Sequence, residues 1–390
     1  MSCFKSNKVT FSRKHSLIAL LIMLVILINT NGIAIAKPSV TARAAILIDA
    51  ETGEILYAKN PHVKRSPAST TKIMTAILAI ENGNLDDKVK VSRRAAYEGG
   101  SSIWLAEGEV LTLEELLYGL LLNSGNDAAV AIAEHIGGSV EEFAQMMNRK
   151  AREIGALDTS FQNPNGLPQK GHLTTAYDLA MIARYALQNK TFAKIVDTTR
   201  KTISWGSHEY GRSLLNTNRL LRRFDEVDGV KTGYTDAAGR CLVSSMTREG
   251  RQVISVVLKS GQMWHDSIKL LNYGFDNFNR IQLAAKDEVI YSARLEALEN
   301  QRLEMVASQE FATVASEGKE IKVRKEIIIK DNLKLPIAKK EQIGKVTFYV
   351  DDELKGTIPL LAKEKLTTKN KFNKLWQWLT NQGPSLTYLK

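Results

Sequence analysis

The spacing of apolar positions changes several times along the chain, and each change marks an element. Ala44 to Asp49 is almost continuously apolar, Glu51-Thr52-Gly53 is a polar turn, and Glu54 to Ala58 is apolar again, which predicts a β-hairpin. Ile73-Met74-Thr75-Ala76-Ile77-Leu78 then reads as a helix that stops at the turn formers Asn82-Gly83-Asn84. Thr112-Leu113-Glu114-Glu115 is a capping box, followed by Leu113, Leu116, Leu117, Leu120 and Leu121 at helical spacing. This helix breaks at Asn123-Ser124-Gly125-Asn126, and a second runs through Ala128 to Ala133 and ends at Gly137-Gly138. Ser139-Val140-Glu141-Glu142 caps a third, which reaches Gly155. After a turn-rich loop from Asn163 to Pro168, Thr175 to Asp178 opens another helix through Leu187, and short strands follow around Lys201 to Trp205. Val227 to Tyr234, Cys241 to Ser245 and Val253 to Leu258 are strand candidates, and a helix from about Ser267 to Phe275 closes the unit. Sheet at both ends with helices between them predicts an α+β domain over residues 37–278.

The pattern shifts afterwards. Residues 279–300 are polar and mixed, whereas Arg302 to Val306, Ile321 to Val323, Ile327 to Ile329, Lys345 to Val350 and Gly356 to Ile358 read as short strands. They predict a small all-β domain over residues 279–368, a spacer or docking module with no chemistry of its own. In residues 369–390, Phe372, Leu375, Trp376 and Leu379 share one helical face, with Lys369, Lys371 and Lys374 among the other positions. That helix suits a membrane interface, the alternative being that it packs on the β domain. At the other end, residues 1–36 have a basic start, an apolar run from Leu17 to Ile28 and a small-x-small Ala34-Ile35-Ala36, the marks of a secretory signal. A retained anchor is the competing reading, but the run falls short of the ~20 residues that span a bilayer. Either way the body of the protein is expected outside the cytoplasm, at the outer face of the membrane or in the cell wall.

Charge and cysteine content narrow the partners. The net charge is +11, of which residues 1–36 carry four positive charges and no acid. A moderately basic exported chain suits an anionic wall or membrane, and no basic stripe interleaved with aromatics points to nucleic acid. Cys241 is the only thiol beyond the signal, so no intramolecular disulfide is expected, and we read it as a buried small hydrophobe.

Candidate chemistry lies in three short motifs. Ser69-Thr70-Thr71-Lys72 stands at a helix start, where Lys72 lies one turn after Ser69 on the same face. Ser124-Gly125-Asn126 sits on the joint between two helices, and Lys231-Thr232-Gly233 opens a strand. Ser-x-x-Lys alone is a common spacing that also fits an N-capping serine and a solvated lysine. In this order and setting the three match, with Ser-Gly-Asn for Ser-Asp-Asn, the signature of penicillin-binding proteins and class A β-lactamases.

With Gly108-Glu109, Leu120 to Ala129 and Lys231 to Arg240 added, the chain resembles the low-molecular-mass penicillin-binding proteins, the serine D-alanyl-D-alanine carboxypeptidases of peptidase family S11. The resemblance implies a β-lactamase/transpeptidase-like domain, an antiparallel sheet with a helical insertion, then a β-rich domain and an amphipathic tail. It implies removal of the terminal D-alanine from peptidoglycan pentapeptides, covalent inhibition by β-lactams, and no metal or other cofactor. Ser69 would be the nucleophile and Lys72 its base, which must be neutral to act. Ser124 would relay a proton to the leaving amine, Asn126 would hold the substrate amide and Lys72, and Lys231 and Thr232 would bind the substrate carboxylate. Gly233 would let the substrate backbone approach as an added strand, and the N–H groups of Ser69 and Tyr234 would form the oxyanion hole.

Three alternatives use the same framework: a D,D-endopeptidase on cross-linked peptidoglycan, a β-lactamase, and an inactive wall-binding protein. The loop from Asn163 to Pro168 offers no glutamate to activate a deacylating water, which disfavours the second. The intact catalytic set disfavours the third. His62, His135, His172, His208 and His265 have no metal-ligand spacing and are expected to be structural or exposed.

Overall fold

In the computed structural model, which describes residues 37–206, 208–294, 302–330 and 333–367, the expected hairpin forms the start of a larger sheet. The proposed signal and amphipathic tail lie outside the described residues. β1 (Ala44–Asp49) pairs antiparallel with β2 (Ile55–Lys59) and, on its other side, with the ninth strand of the chain. A short ribbon, β3 (Lys88–Lys90) with β4 (Val110–Thr112), and a hairpin, β5 (Arg200–Ile203) with β6 (Arg212–Leu215), lie outside this sheet. β7 (Val227–Thr235), β8 (Gly239–Arg248) and β9 (Arg251–Leu258) complete it in the order β2-β1-β9-β8-β7, antiparallel throughout. β7 is therefore an edge strand, with one row of backbone groups free to pair.

Strand alternation gives the sheet two apolar faces. Ile46, Ile48, Ile254 and Val256 join the large core beneath the helices. Leu47 and Val253 point the other way, towards Gly274. The helices are α1 (Lys72–Asn82), the one-turn α2 (Arg93–Ala96), α3 (Leu113–Leu122), α4 (Asn126–Gly137), α5 (Val140–Ile154), α6 (Ala176–Leu187), α7 (Lys190–Asp197) and α8 (Met263–Asn277). Every residue of α1 from Lys72 to Ala79 is buried, as befits a helix at the centre of a bundle. The capping box at Thr112 and Glu115 is formed, and left-handed Gly138 and Gly155 terminate α4 and α5.

The C-terminal region is all β. β10 (Phe278–Ala284) pairs with β13 (Phe311–Ser316) as a ribbon. β11 (Val289–Arg294), β12 (Arg302–Ala307), β14 (Val323–Ile329), β15 (Gln342–Val350) and β16 (Glu353–Ala362) form a sheet in the order β11-β12-β16-β15-β14. Its core holds Met305, Ile343, Val346, Phe348 and Leu360. Glu54 of β2's turn ties the two regions, accepting from Thr313 Oγ1 at 3.0 Å and pairing with Lys355 at 2.9 Å.

Five local expectations change. Ser69 is not in the α-helix but in a 3-10 turn, Ala68–Thr71, because Ala68 at φ +50° bends the chain just before it. The 190–197 segment, unassigned from its sequence, is a helix capped by Asn189, and the 279–300 stretch contains β10 and β11, whose half-exposed pattern hid their alternation. Phe311–Ser316 is an additional strand, and the expected strands at 321–323 and 327–329 are one, beginning at Val323.

Candidate active site

Three separate stretches of chain deliver the site. The 3-10 turn before α1 presents Ser69, which is partly exposed, while Lys72, one turn on, is fully buried. The joint between α3 and α4 presents Ser124 and Asn126, and the edge strand β7 presents Lys231 to Tyr234. Glycines allow the close approach. A Cβ on Gly233 would lie 3.0 Å from the Ser69 nitrogen, and one on Gly166 would lie 1.9 Å from the Ala68 carbonyl oxygen, so both neighbours of the Ser69 backbone demand glycine.

Lys72 is the best determined group. Its Nζ lies 3.0 Å from Ser69 Oγ, 2.6 Å from Asn126 Oδ1 and 2.7 Å from the Asn165 carbonyl oxygen. Burial is the main force pushing its pKa well below the usual lysine range, and the charge of Lys231 pushes the same way; Asp127 and Glu98 oppose them. The partners then fix the direction of the lone pair. Two of them are carbonyl oxygens that only accept, so a neutral amine gives its two hydrogens to Asn126 and Asn165. Its lone pair is left facing the Ser69 hydroxyl, the only partner able to donate a proton.

Ser124 occupies left-handed backbone at φ +64°, uncommon for a residue with a side chain, and its buried Oγ has no protein hydrogen-bond partner. It lines the same cleft as Ser69. Asn126 Nδ2 donates to the Gly99 carbonyl at 2.6 Å, which leaves its amide oxygen turned to Lys72. Lys231 is also fully buried: its Nζ donates to the Thr232 carbonyl at 3.1 Å, and burial lowers its pKa to about 7. Thr232 Oγ1 meets Thr217 Oγ1 at 2.8 Å, and Tyr234 is exposed, its hydroxyl donating to Asp236. The cleft measures about 780 Å³; Arg219, Arg222 and Arg240 line it, and no carboxylate does among the described residues.

Several contributors had no signal in the sequence. Asp127 accepts from Ser102 Oγ at 2.6 Å and from the Ile103 and Leu105 amides at 3.0 and 3.1 Å, and so anchors the 99–106 loop to α4. Glu98 accepts from Asn165 Nδ2 at 2.7 Å, which orients the residue whose carbonyl holds Lys72. His172 Nδ1 accepts from the Gln162 amide, so its Nε2 carries the hydrogen and donates to Thr71 Oγ1 at 2.8 Å. Burial, helped by Lys72, lowers this imidazole to about 4. Glu98 and His172 are single residues in irregular segments, where no periodicity announces them, and Asp127 sits in the first turn of α4, where its apolar spacing does not mark it. Cys241 is a buried free thiol whose pKa is raised to about 11, chiefly by burial.

Comparison with known proteins agrees with this arrangement. The family model for D-alanyl-D-alanine carboxypeptidase matches residues 31–261, and that for the penicillin-binding protein 5 C-terminal domain matches residues 278–368. D-alanyl-D-alanine carboxypeptidase DacF of Bacillus subtilis is 36% identical over 334 residues, 83% of this chain and 86% of that one. The crystal structure of penicillin binding protein 5 from Haemophilus influenzae superposes with a TM-score of 0.72 at 29% identity, covering 86% of this chain and 100% of that one. The Streptomyces K15 DD-transpeptidase, at 36% identity and a TM-score of 0.58, covers 62% of this chain and 99% of its own. With a matching model over most of its length, two domains in the same order and a buried lysine turned on a serine, this chain belongs to the D-alanyl-D-alanine carboxypeptidase family and is a serine-type D,D-carboxypeptidase.

Proposed function

We infer that the enzyme removes the terminal D-alanine from peptidoglycan pentapeptide stems, outside the cytoplasm, through an acyl-enzyme on Ser69. The observation that carries this reading is the 3.0 Å contact between a buried, charge-depleted Lys72 and Ser69 Oγ. Lys72 takes the hydroxyl proton as Oγ attacks the carbonyl of the penultimate D-alanine. The backbone N–H groups of Ser69 and Tyr234 receive the charge that develops on the carbonyl oxygen. Ser124 Oγ, buried and unpartnered, gives its proton to the departing amine as it takes the one Lys72 acquired, which leaves Lys72 neutral again, and Asn126 holds Lys72 while presenting its side chain to the substrate amide. Water then attacks the ester, with Lys72 again the base.

Specificity for a C-terminal residue follows from charge. The Thr232 hydroxyl and the field of Lys231 receive the free carboxylate, and three arginines on the cleft wall, unopposed by any acid in that wall, draw it in. The free edge of β7 pairs with the extended substrate backbone. β-Lactams offer the same amide and carboxylate, so they acylate the same oxygen. Brief exposure of the mature protein to benzylpenicillin, followed by mass spectrometry, tests this: the expected result is one adduct on the peptide containing Ser69, and an adduct elsewhere overturns it. Assays with a pentapeptide and with a cross-linked dimer separate carboxypeptidase from endopeptidase action. The basic, tryptophan-bearing segment 369–390 is proposed to hold the enzyme at the membrane surface. Full membrane partitioning of a chain cut after Lys365 would refute that.

A further inference from the structure

Beside the cleft stands a group of aromatic side chains that the reaction does not use. Trp104 is 77% exposed and has φ +61°, a backbone region that is costly for a bulky residue. The strained conformation is fixed from both sides: the Trp104 amide donates to Ser102 Oγ at 2.7 Å, and its carbonyl accepts from the Arg212 guanidinium at 3.2 Å. Its neighbours Ile103 and Leu105 are buried and donate their amides to Asp127, the residue after Asn126. The backbone that carries the indole is thus tied to the residue that follows Asn126.

The same guanidinium lies over the Trp205 ring, 5.2 Å from its centroid, and forms a buried ion pair with Glu109 at 3.1 Å. Trp205 meets Tyr210, 63% exposed, edge to face at 5.7 Å. Arg212 therefore links the backbone of Trp104 to Trp205, and through it to Tyr210. Trp104 shares its loop with Ser101, and Arg212 shares β6 with Leu215; Ser101 and Leu215 both line the cleft.

Exposing a strained indole gives folding nothing, so the feature points to a ligand. Flat rings with polar rims fit a molecule with an apolar C–H face and hydroxyl edges, which is a pyranose. In peptidoglycan the stem peptide that enters the cleft is attached to such a sugar, and Trp104 and Arg212 lie on the same loop and strand as the cleft residues Ser101 and Leu215. We propose that Trp104, supported by Trp205 and Tyr210, is a stacking platform for the amino sugar that carries the stem peptide. This rests on stem peptides being the substrate.

The test compares D-alanine release from a free pentapeptide ending in D-Ala-D-Ala with release from the same pentapeptide on its N-acetylglucosaminyl-N-acetylmuramic acid disaccharide. With the mature chain, Trp104→Ala is expected to lower kcat/KM for the disaccharide substrate about tenfold, through KM, and to leave the free peptide within about twofold. Trp104→Phe should recover part of the loss, and Tyr210→Ala should show a smaller loss of the same kind. Equal effects on both substrates, or none on either, overturn the platform. So does loss of binding to anionic phospholipid vesicles in Trp104→Ala with the sugar preference intact, which assigns the patch to a membrane. A wild-type protein that cleaves the free peptide with no preference for the disaccharide overturns the platform alone. One that cleaves neither overturns the substrate reading beneath it.

Discussion

The two folded regions treat buried polarity in opposite ways. Between Asp49 and Ser267 the protein buries two lysines, an arginine, a glutamate and several aspartates, whereas among the described residues after Phe278 the only buried polar groups are Thr313 and Thr347. Removing a charge from water is expensive unless it is paired or changes protonation state. The first region meets that cost with partners for Asp49, Glu109 and Arg212, and with a depressed pKa at Lys72 and Lys231. The second avoids it by packing Phe348, Val346 and Leu360. Reactivity is concentrated where the fold tolerates electrostatic cost, and the β region contributes apolar packing instead.

Substitutions can break this contrast or sharpen it. Ser69→Ala is expected to reduce D-alanine release by at least about 10⁴-fold and to abolish penicillin labelling; surviving label in a gel assay would move the chemistry elsewhere. Lys72→Arg keeps a cation where a neutral amine is needed and should cost about 10³-fold in kcat, measured in single turnover with the fold checked by circular dichroism. The related pH effect has a definite sign. Only the unprotonated amine accepts the serine proton, so kcat/KM should fall as pH drops through the lowered pKa of Lys72, and it should fall again on the alkaline side as Lys231, lowered to about 7, loses the charge that receives the substrate carboxylate. A profile flat through mildly acidic pH would speak against Lys72 as the base. Arg240→Gln, on the cleft wall, should raise KM about tenfold with kcat little changed, the mark of lost ground-state binding. Smallest in activity is Phe348→Ala. It should destabilise the β region by about 3–5 kcal/mol in thermal unfolding and leave kcat/KM on a free peptide unchanged.

Legibility in the sequence followed regularity. The leucines of α3, the capping residues at Thr112, Ser139 and Thr175, and the apolar runs of β1, β8 and β9 all carry a period or a cap that physics reads directly. Ser69, Lys72, Ser124 and Lys231 could be picked out because their residue types stand at fixed offsets from those elements. Nothing comparable marked Glu98, Asn165 or His172, whose positions depend on loops that cross from distant parts of the chain. Nor could the sequence show that Ser69 sits on a 3-10 turn: the left-handed Ala68 before it packs closely against Gly166 and Gly233, which come from distant parts of the chain.

Those two glycines also bear on the order in which the molecule becomes active. The seat of Ser69 is closed by segments about 100 and 160 residues further along the chain, so it cannot exist until the non-local strand β7 and the 163–167 loop have both docked. Acylation is then a reporter of completed folding. During refolding, capture of a fluorescent penicillin should lag behind the recovery of helical ellipticity, and the lag should lengthen when β7 docking is slowed.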